Sequence, residues 1–260
     1  MRVAIAGKGG TGKTTISGTL ARILARRGRQ VLAVDADTTP NLAVTLGIPR
    51  VQAQEMMDLP RNMMERQQQS DGTMKAIFTA DSEEIISAYS ASGPDGVQLL
   101  VMGKVDHAGV GCLCGAHAAV RGLIGELVRK DDKDRDVIVD MEAGLEHLSR
   151  GTGRHLSRFV ATIEPYYRSM EIARRVVGLA NELGIGEVIA VANKVRDEGD
   201  HKAIADFCAA HSLNLVGEIP FDSTVLEAER AGKTPIDFDA NSPAVRAIEK
   251  LADTLTASAS

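Results

Sequence analysis

The sequence predicts an α/β fold, a mostly parallel central sheet with helices on both faces, in a single domain spanning 1–260. Three observations carry this. Short aliphatic runs alternate with longer segments whose apolar residues recur at helical spacing. Runs such as Val137-Ile138-Val139 and Val188-Ile189-Ala190-Val191 are apolar at every position, as strands covered on both faces must be. A strand–helix–strand order repeated along a chain means parallel strands joined by helical crossovers.

In chain order, strands are expected at 2–6, 31–35, 97–102, 136–140, 158–163, 187–192 and 214–219. Helices are expected at 14–27, 115–130, 168–183, 200–211 and 243–257. No Ser- or Pro-rich linker, internal repeat or low-complexity block divides the chain, and the tail Thr254–Ser260 is expected to fray.

Composition sets further limits. With 44% hydrophobic and 25% charged residues the balance is that of an ordinary globular protein, long enough to bury a sizeable core. A formal charge of −5 argues against a protein that coats nucleic acid, which needs an excess of Lys and Arg. No run reaches the roughly 18 apolar residues of a membrane span. The apolar run after Met1 is too short for a signal peptide and lacks a cleavage site, so a cytoplasmic protein is expected. Three cysteines make no disulfide framework at this length, and in a reducing cytosol they suggest metal or redox work.

The strongest local signal follows the first strand. Gly7-Lys8-Gly9-Gly10-Thr11-Gly12-Lys13-Thr14 fits the P-loop pattern G-x-x-x-x-G-K-[ST] between a strand and a helix. Glycines let the backbone turn so that its N–H groups converge on phosphates without Cβ clashes. The helix beginning at Thr14 points its positive dipole end at the same anion. Lys13 neutralises the β- and γ-phosphates, and the Thr14 hydroxyl ligates Mg²⁺. The expected fold is therefore a P-loop NTPase that binds and hydrolyses ATP.

Lys8, one residue after the first glycine, with Lys13-Thr14-Thr15 after the last, makes this loop resemble the deviant Walker A motif of the dimeric ATPases that include MinD, ParA and nitrogenase iron protein. The resemblance implies an ATP-favoured homodimer in which Lys8 reaches the partner's ATP. Asp35-Ala36-Asp37-Thr38-Thr39-Pro40-Asn41 resembles the family's switch I, which implies that Asp37 orients the attacking water and that Asp35 sits near the magnesium shell. Asp140-Met141-Glu142-Ala143-Gly144 resembles switch II, implying that Asp140 holds Mg²⁺ through water and that the Gly144 N–H senses the γ-phosphate. Carboxylates at the carboxyl ends of parallel strands suit this, because ligands of open α/β sheets bind there and Mg²⁺ prefers a few carboxylates plus water. By the same resemblance Asn193 reads the adenine, and the segment Pro220-Phe221-Asp222 packs on the base.

The cysteines select a branch. In Gly111-Cys112-Leu113-Cys114-Gly115 two thiolates can face one side, and thiolates select Ni²⁺, Zn²⁺ or Cu(I) over Mg²⁺. Two ligands do not close a site, whereas a two-fold axis through Cys112 and Cys114 would supply four. With the segment Asp140–Thr152 and Ile163-Glu164-Pro165, the sequence resembles the CooC-type accessory ATPases, which insert nickel into carbon monoxide dehydrogenase. This implies a client nickel enzyme as partner. A one-chain site using the flanking His107 and His117 is the alternative.

Other readings within the same superfamily are weighed by what they lack. An iron-protein-like reductase would need a second cluster cysteine where His147 stands. A ParA-like protein needs DNA-binding basic patches, and the densest basic run, Arg22 to Arg29, is thin. A MinD-like protein needs a basic amphipathic membrane helix, and Val245 to Ser260 has no Trp or Phe to anchor one. Neither nucleic acid nor membrane is expected as a partner.

Overall fold

The aliphatic runs pair into one eight-stranded sheet. The computed structural model describes residues 1–60, 63–68, 73–103, 114–130, 132, 134–142 and 155–257. In chain order the elements begin with β1 (Arg2–Gly7), α1 (Lys13–Arg26), β2 (Gln30–Ala36), α2 (Leu42–Leu46) and α3 (Arg50–Glu55). Then come β3 (Met64–Gln68), β4 (Met74–Phe78), α4 (Ser82–Tyr89), β5 (Ala91–Ser92), β6 (Gln98–Val101), α5 (Cys114–Arg129) and β7 (Arg135–Met141). The rest are β8 (Arg158–Ile163), α6 (Tyr167–Glu182), β9 (Glu187–Val195), α7 (Glu198–Ala210), β10 (Leu215–Pro220), α8 (Ser223–Arg230), α9 (Pro235–Phe238) and α10 (Pro243–Ala257).

Strand order is β10-β9-β8-β1-β7-β2-β6-β5, parallel throughout except for the short edge strand β5. β1 sits between β7 and β8, so the loop leaving it opens at the middle of the sheet's carboxyl edge. Alternate residues feed two cores. Ala4 and Ala6 join one with Leu123, Ile124 and Val176 from α5 and α6. Val3 and Ile5 join the other with Leu20 and Leu24 of α1 and Val245, Ile248 and Leu255 of α10. A strand with both faces covered must be apolar at every position, which is why these runs do not alternate.

Every expected strand and helix is present, with ends shifted by at most three residues. Two differences are worth stating. Between β2 and β6 the described residues add elements beyond the expected set: α2, α3, the antiparallel strands β3 and β4, α4 and β5. Of the tail expected to fray, the described part Thr254–Ala257 belongs to α10, with Leu255 buried against the second core.

Candidate functional site

The site is built where β1, β2 and β7 end side by side. Gly7 closes β1 at φ +152°, and a Cβ there would lie 2.8 Å from the Thr162 carbonyl of β8. Gly12 closes the loop at φ +87°, and a Cβ there would run into the Asn193 amide. Both glycines are therefore demanded by backbone approach as well as by conformation. α1 begins immediately afterwards with no described side chain capping it and no acid in its first turn. By contrast α4, α7 and α8 start under the carboxylates of Asp81, Asp197 and Asp222. The N–H groups of α1 thus face the loop, the arrangement that suits a phosphate.

Lys13 is buried and curls over the loop, its Nζ donating to the Lys8 carbonyl at 3.2 Å. Burial lowers its pKa, and the charges of Asp140, Asp37, Glu142 and Glu164 pull the other way. Four carboxylates therefore face one ammonium across the loop. Lys8 is half-buried, its Nζ 3.5 Å from the Gly9 carbonyl and 6.0 Å from the centre of the Tyr166 ring.

Asp35 and Asp140 are register partners on β2 and β7, and both are buried. Asp140 accepts a hydrogen bond from the Ser17 hydroxyl at 3.1 Å, and the nearby Thr14 hydroxyl also favours its ionised form. Burial, with the Asp35 charge beside it, pushes its carboxyl up to about 7. Asp35 accepts the Leu42 N–H at 2.8 Å on one oxygen and the Asp37 N–H at 3.1 Å on the other. Burial pushes it up to about 6 against those bonds. Asp35, expected near the magnesium shell, stands beside Asp140, and each of its oxygens also holds a backbone N–H of the loop that follows β2. Thr14, Ser17 and Asp140 form a set of hard oxygen donors around a carboxylate that resists ionising alone. That chemistry fits Mg²⁺.

Asp37 sits half-buried beyond β2, one carboxylate oxygen accepting the Thr39 N–H at 2.9 Å and the Thr39 hydroxyl at 3.0 Å. On the other side of α1, Gly12, Thr15, Ile219, Pro220, Phe221 and Ile248 line a mostly apolar cleft that suits a base. Asn193 Nδ2 donates to the Thr11 carbonyl at 2.6 Å, so the residue expected to read adenine also ties the loop to β9. Asp222 borders the cleft, but its oxygens accept the Thr224 N–H at 2.9 Å and the Ala244 N–H at 3.1 Å. Its carboxylate thus holds the starts of two helices at the edge of the cleft. The Arg196 guanidinium stacks on the Phe221 ring at 4.6 Å.

Sequence reasoning missed one brace. Lys194, at φ +59°, donates to the Gly10 carbonyl at 2.5 Å and to Glu164 at 2.8 Å. Glu164 is buried at the end of β8. This pair pins the middle of the P-loop to β8 and β9. Both residues stand at or just beyond strand ends in the sequence, which was the available signal, but nothing local shows that they meet. Cys112, Gly144, His107 and His147 lie outside the described residues, as does the side chain of Cys114, the first residue of α5. His117 is buried on α5.

With this geometry in place, comparison with known proteins is informative. The family model for the CobQ/CobB/MinD/ParA nucleotide-binding domain matches residues 3–236. The carbon monoxide dehydrogenase accessory protein CooC of Rhodospirillum rubrum is 38% identical over 249 residues, covering 95% of this chain and 92% of that one. An uncharacterised ATP-binding protein of Methanocaldococcus jannaschii is 36% identical over 257 residues, 96% of each chain. Among solved structures, the septum site-determining protein MinD of Pyrococcus horikoshii with Mg-ADP superposes with a TM-score of 0.72, at 22% identity, covering 99% and 98% of the two chains.

Proposed function

The chain belongs to the CobQ/CobB/MinD/ParA nucleotide-binding family and is an ATPase, and we propose that its cycle loads nickel into carbon monoxide dehydrogenase or a related nickel enzyme. The observation that carries this reading is the likeness to CooC along nearly the whole chain. The sequence adds Cys112 and Cys114, two soft ligands outside the nucleotide site.

The nucleotide chemistry follows from the residues in place. Backbone N–H groups of the loop and the open start of α1 receive the phosphates, and Lys13 offsets their charge. Thr14 and Asp140 would hold Mg²⁺, which would supply charge neutralisation for the phosphates. Asp37 orients the attacking water. Lys8 acts on the ATP of a second copy, placing positive charge where the transition state gains negative charge. Mixing Lys8→Ala with Asp37→Ala subunits tests that arrangement. One composite site in each mixed dimer keeps both groups, so turnover should recover to a measurable fraction of wild type. Verified mixed dimers without recovery would remove the action in trans.

Cys112 and Cys114 bind one Ni²⁺ or Zn²⁺ between two chains. Equilibrium dialysis with metal analysis checks the ratio: one metal per two chains, lost in either Cys→Ala variant while ATP binding persists. One metal per chain, lost in His107→Ala or His117→Ala, would replace the shared site with the one-chain alternative.

Two features support this reading over a DNA- or membrane-positioning one. The basic residues of α1 are engaged internally: Arg22 and Arg26 with Asp95 and Asp237. Just beyond the helix, Arg27 pairs with Asp253 and Arg29 with Asp136. The apolar face of α10 is spent on the core, and no described helix is long and apolar enough to cross a membrane.

A further inference from the structure

We propose that Glu142 is a positioning residue for hydrolysis, holding Asp37 in place through a hydrogen bond to Thr38. This rests on the reading of Asp37 as the residue that orients the attacking water.

The observation is a single long-range contact. Thr38 Oγ1 donates to Glu142 Oε1 at 2.8 Å, between residues 104 apart in sequence. One partner stands in the loop after β2 and the other directly after β7. It is a direct side-chain link between the two loops that the ATPase cycle must coordinate. Its place matters, because Thr38 is the neighbour of Asp37. The short segment from Asp37 to Thr39 is held at three points. Asp35 receives the Asp37 N–H, Asp37 itself receives the N–H and hydroxyl of Thr39, and Glu142 receives the Thr38 hydroxyl. Of these, Glu142 alone comes from the switch II side.

The electrostatics agree with the position. Asp140, Asp37 and Glu142 all act on the ammonium of Lys13, so Glu142 looks onto the same phosphate-binding space as the residue it steadies. A hydrogen bond to a carboxylate is stronger than one between neutral groups, which makes Glu142 a firm anchor for a loop residue. Moving a water-orienting carboxylate by about 1 Å costs up to ~100-fold in rate, so an anchor one residue away is a lever on kcat. It also gives switch II a mechanical hold on switch I: any movement of the segment after β7 pulls on Thr38 and thence on Asp37.

The test separates the hydrogen bond, the charge and the fold. Steady-state ATP hydrolysis, MgADP affinity and thermal unfolding are measured for Thr38→Val, Thr38→Ser, Glu142→Ala, Glu142→Gln, the Thr38→Val/Glu142→Ala double variant, and Asp37→Ala. Thr38→Val and Glu142→Ala should each lower kcat roughly 10- to 100-fold with KM within about twofold. The double variant should be no slower than either single one, since both remove the same link. Thr38→Ser and Glu142→Gln keep a donor and an acceptor, and should recover most of the lost turnover. If Asp37→Ala is inactive but Thr38→Val and Glu142→Ala hydrolyse at the wild-type rate, the positioning role is wrong while the reading of Asp37 stands. If Asp37→Ala itself hydrolyses at the wild-type rate, the reading of Asp37 falls and this role falls with it. Loss of thermal stability and MgADP affinity in parallel with kcat would make the bond merely structural and overturn the proposal.

Discussion

Two carboxylates stand opposite each other in the sheet, Asp35 at the end of β2 and Asp140 at the end of β7, and they do different work. Both are buried, and burial raises the proton affinity of each. Asp35 is answered by backbone N–H groups of Asp37 and Leu42, donors that cannot turn away without unfolding the loop. Asp140 is answered by the hydroxyls of Ser17 and Thr14, which can rotate and accept as readily as they donate. The difference teaches that two buried carboxylates at equivalent strand positions can be held by fixed backbone donors or by hydroxyls free to rotate, and sequence position alone does not decide which.

The sharpest way to break the comparison is to remove the group that only one side sees. Lys13 faces Asp140, Asp37 and Glu142. Lys13→Ala should abolish ATP binding or turnover, read by nucleotide titration and phosphate release, because it removes the buried ammonium that offsets the charge of the β- and γ-phosphates. Next in size is Asp140→Asn, which should lower Mg²⁺-dependent turnover by about 10- to 100-fold, the range seen when a residue supporting a metal through water is lost. Asp35→Asn should instead act on the fold, costing about 1–3 kcal/mol in chemical denaturation by weakening bonds to a charged acceptor, and changing kcat far less than Asp140→Asn. Equal effects of the two Asp→Asn changes on kcat would dissolve the distinction.

The last effect is the pH dependence. A carboxyl whose folded pKa is raised from its ordinary 3.8 to about 7, as for Asp140, keeps a proton in the folded chain that the unfolded chain has lost. That contribution to stability is fully present below 3.8 and is lost as pH rises through about 7. Stability without Mg²⁺ and nucleotide should therefore fall over that window, and Asp140→Asn should flatten the slope. Added Mg²⁺ should bind more tightly toward the upper end, where the carboxylate is already ionised.

Much of this molecule was legible beforehand, and the reasons are specific. Central strands are apolar at every position and the long helices are periodic, so their pattern survives without tertiary context. The P-loop is legible because phosphate binding constrains consecutive residues. What escaped was short or distant. α2 spans only Leu42–Leu46, too short to be helical in isolation, and it owes its form to the burial of Leu42 and Leu46. The hairpin strands β3 and β4 have five residues each, many of them polar, and leave little trace in a hydropathy pattern. The Lys194–Glu164 brace and the Thr38–Glu142 bond join residues far apart in the chain. The partners of Asp35 are backbone groups, which no side-chain pattern records.

The proposed function requires ATP turnover and metal binding to drive one another. Cys114 is the first residue of α5, and α5 and β7 lead from it to Asp140, so the proposed action of a γ-phosphate on Gly144 and the bond from Glu142 to Thr38 bear on the stretch of chain that follows the two cysteines. The direct measurement is the Ni²⁺ dissociation constant, by chelator competition, of the wild-type protein saturated with MgADP or with a non-hydrolysable MgATP analogue. The account predicts a difference of at least about fivefold between the two states, with the affinity ratio for the two nucleotides changing by the same factor when Ni²⁺ is bound. Identical Ni²⁺ affinities in both nucleotide states would contradict it.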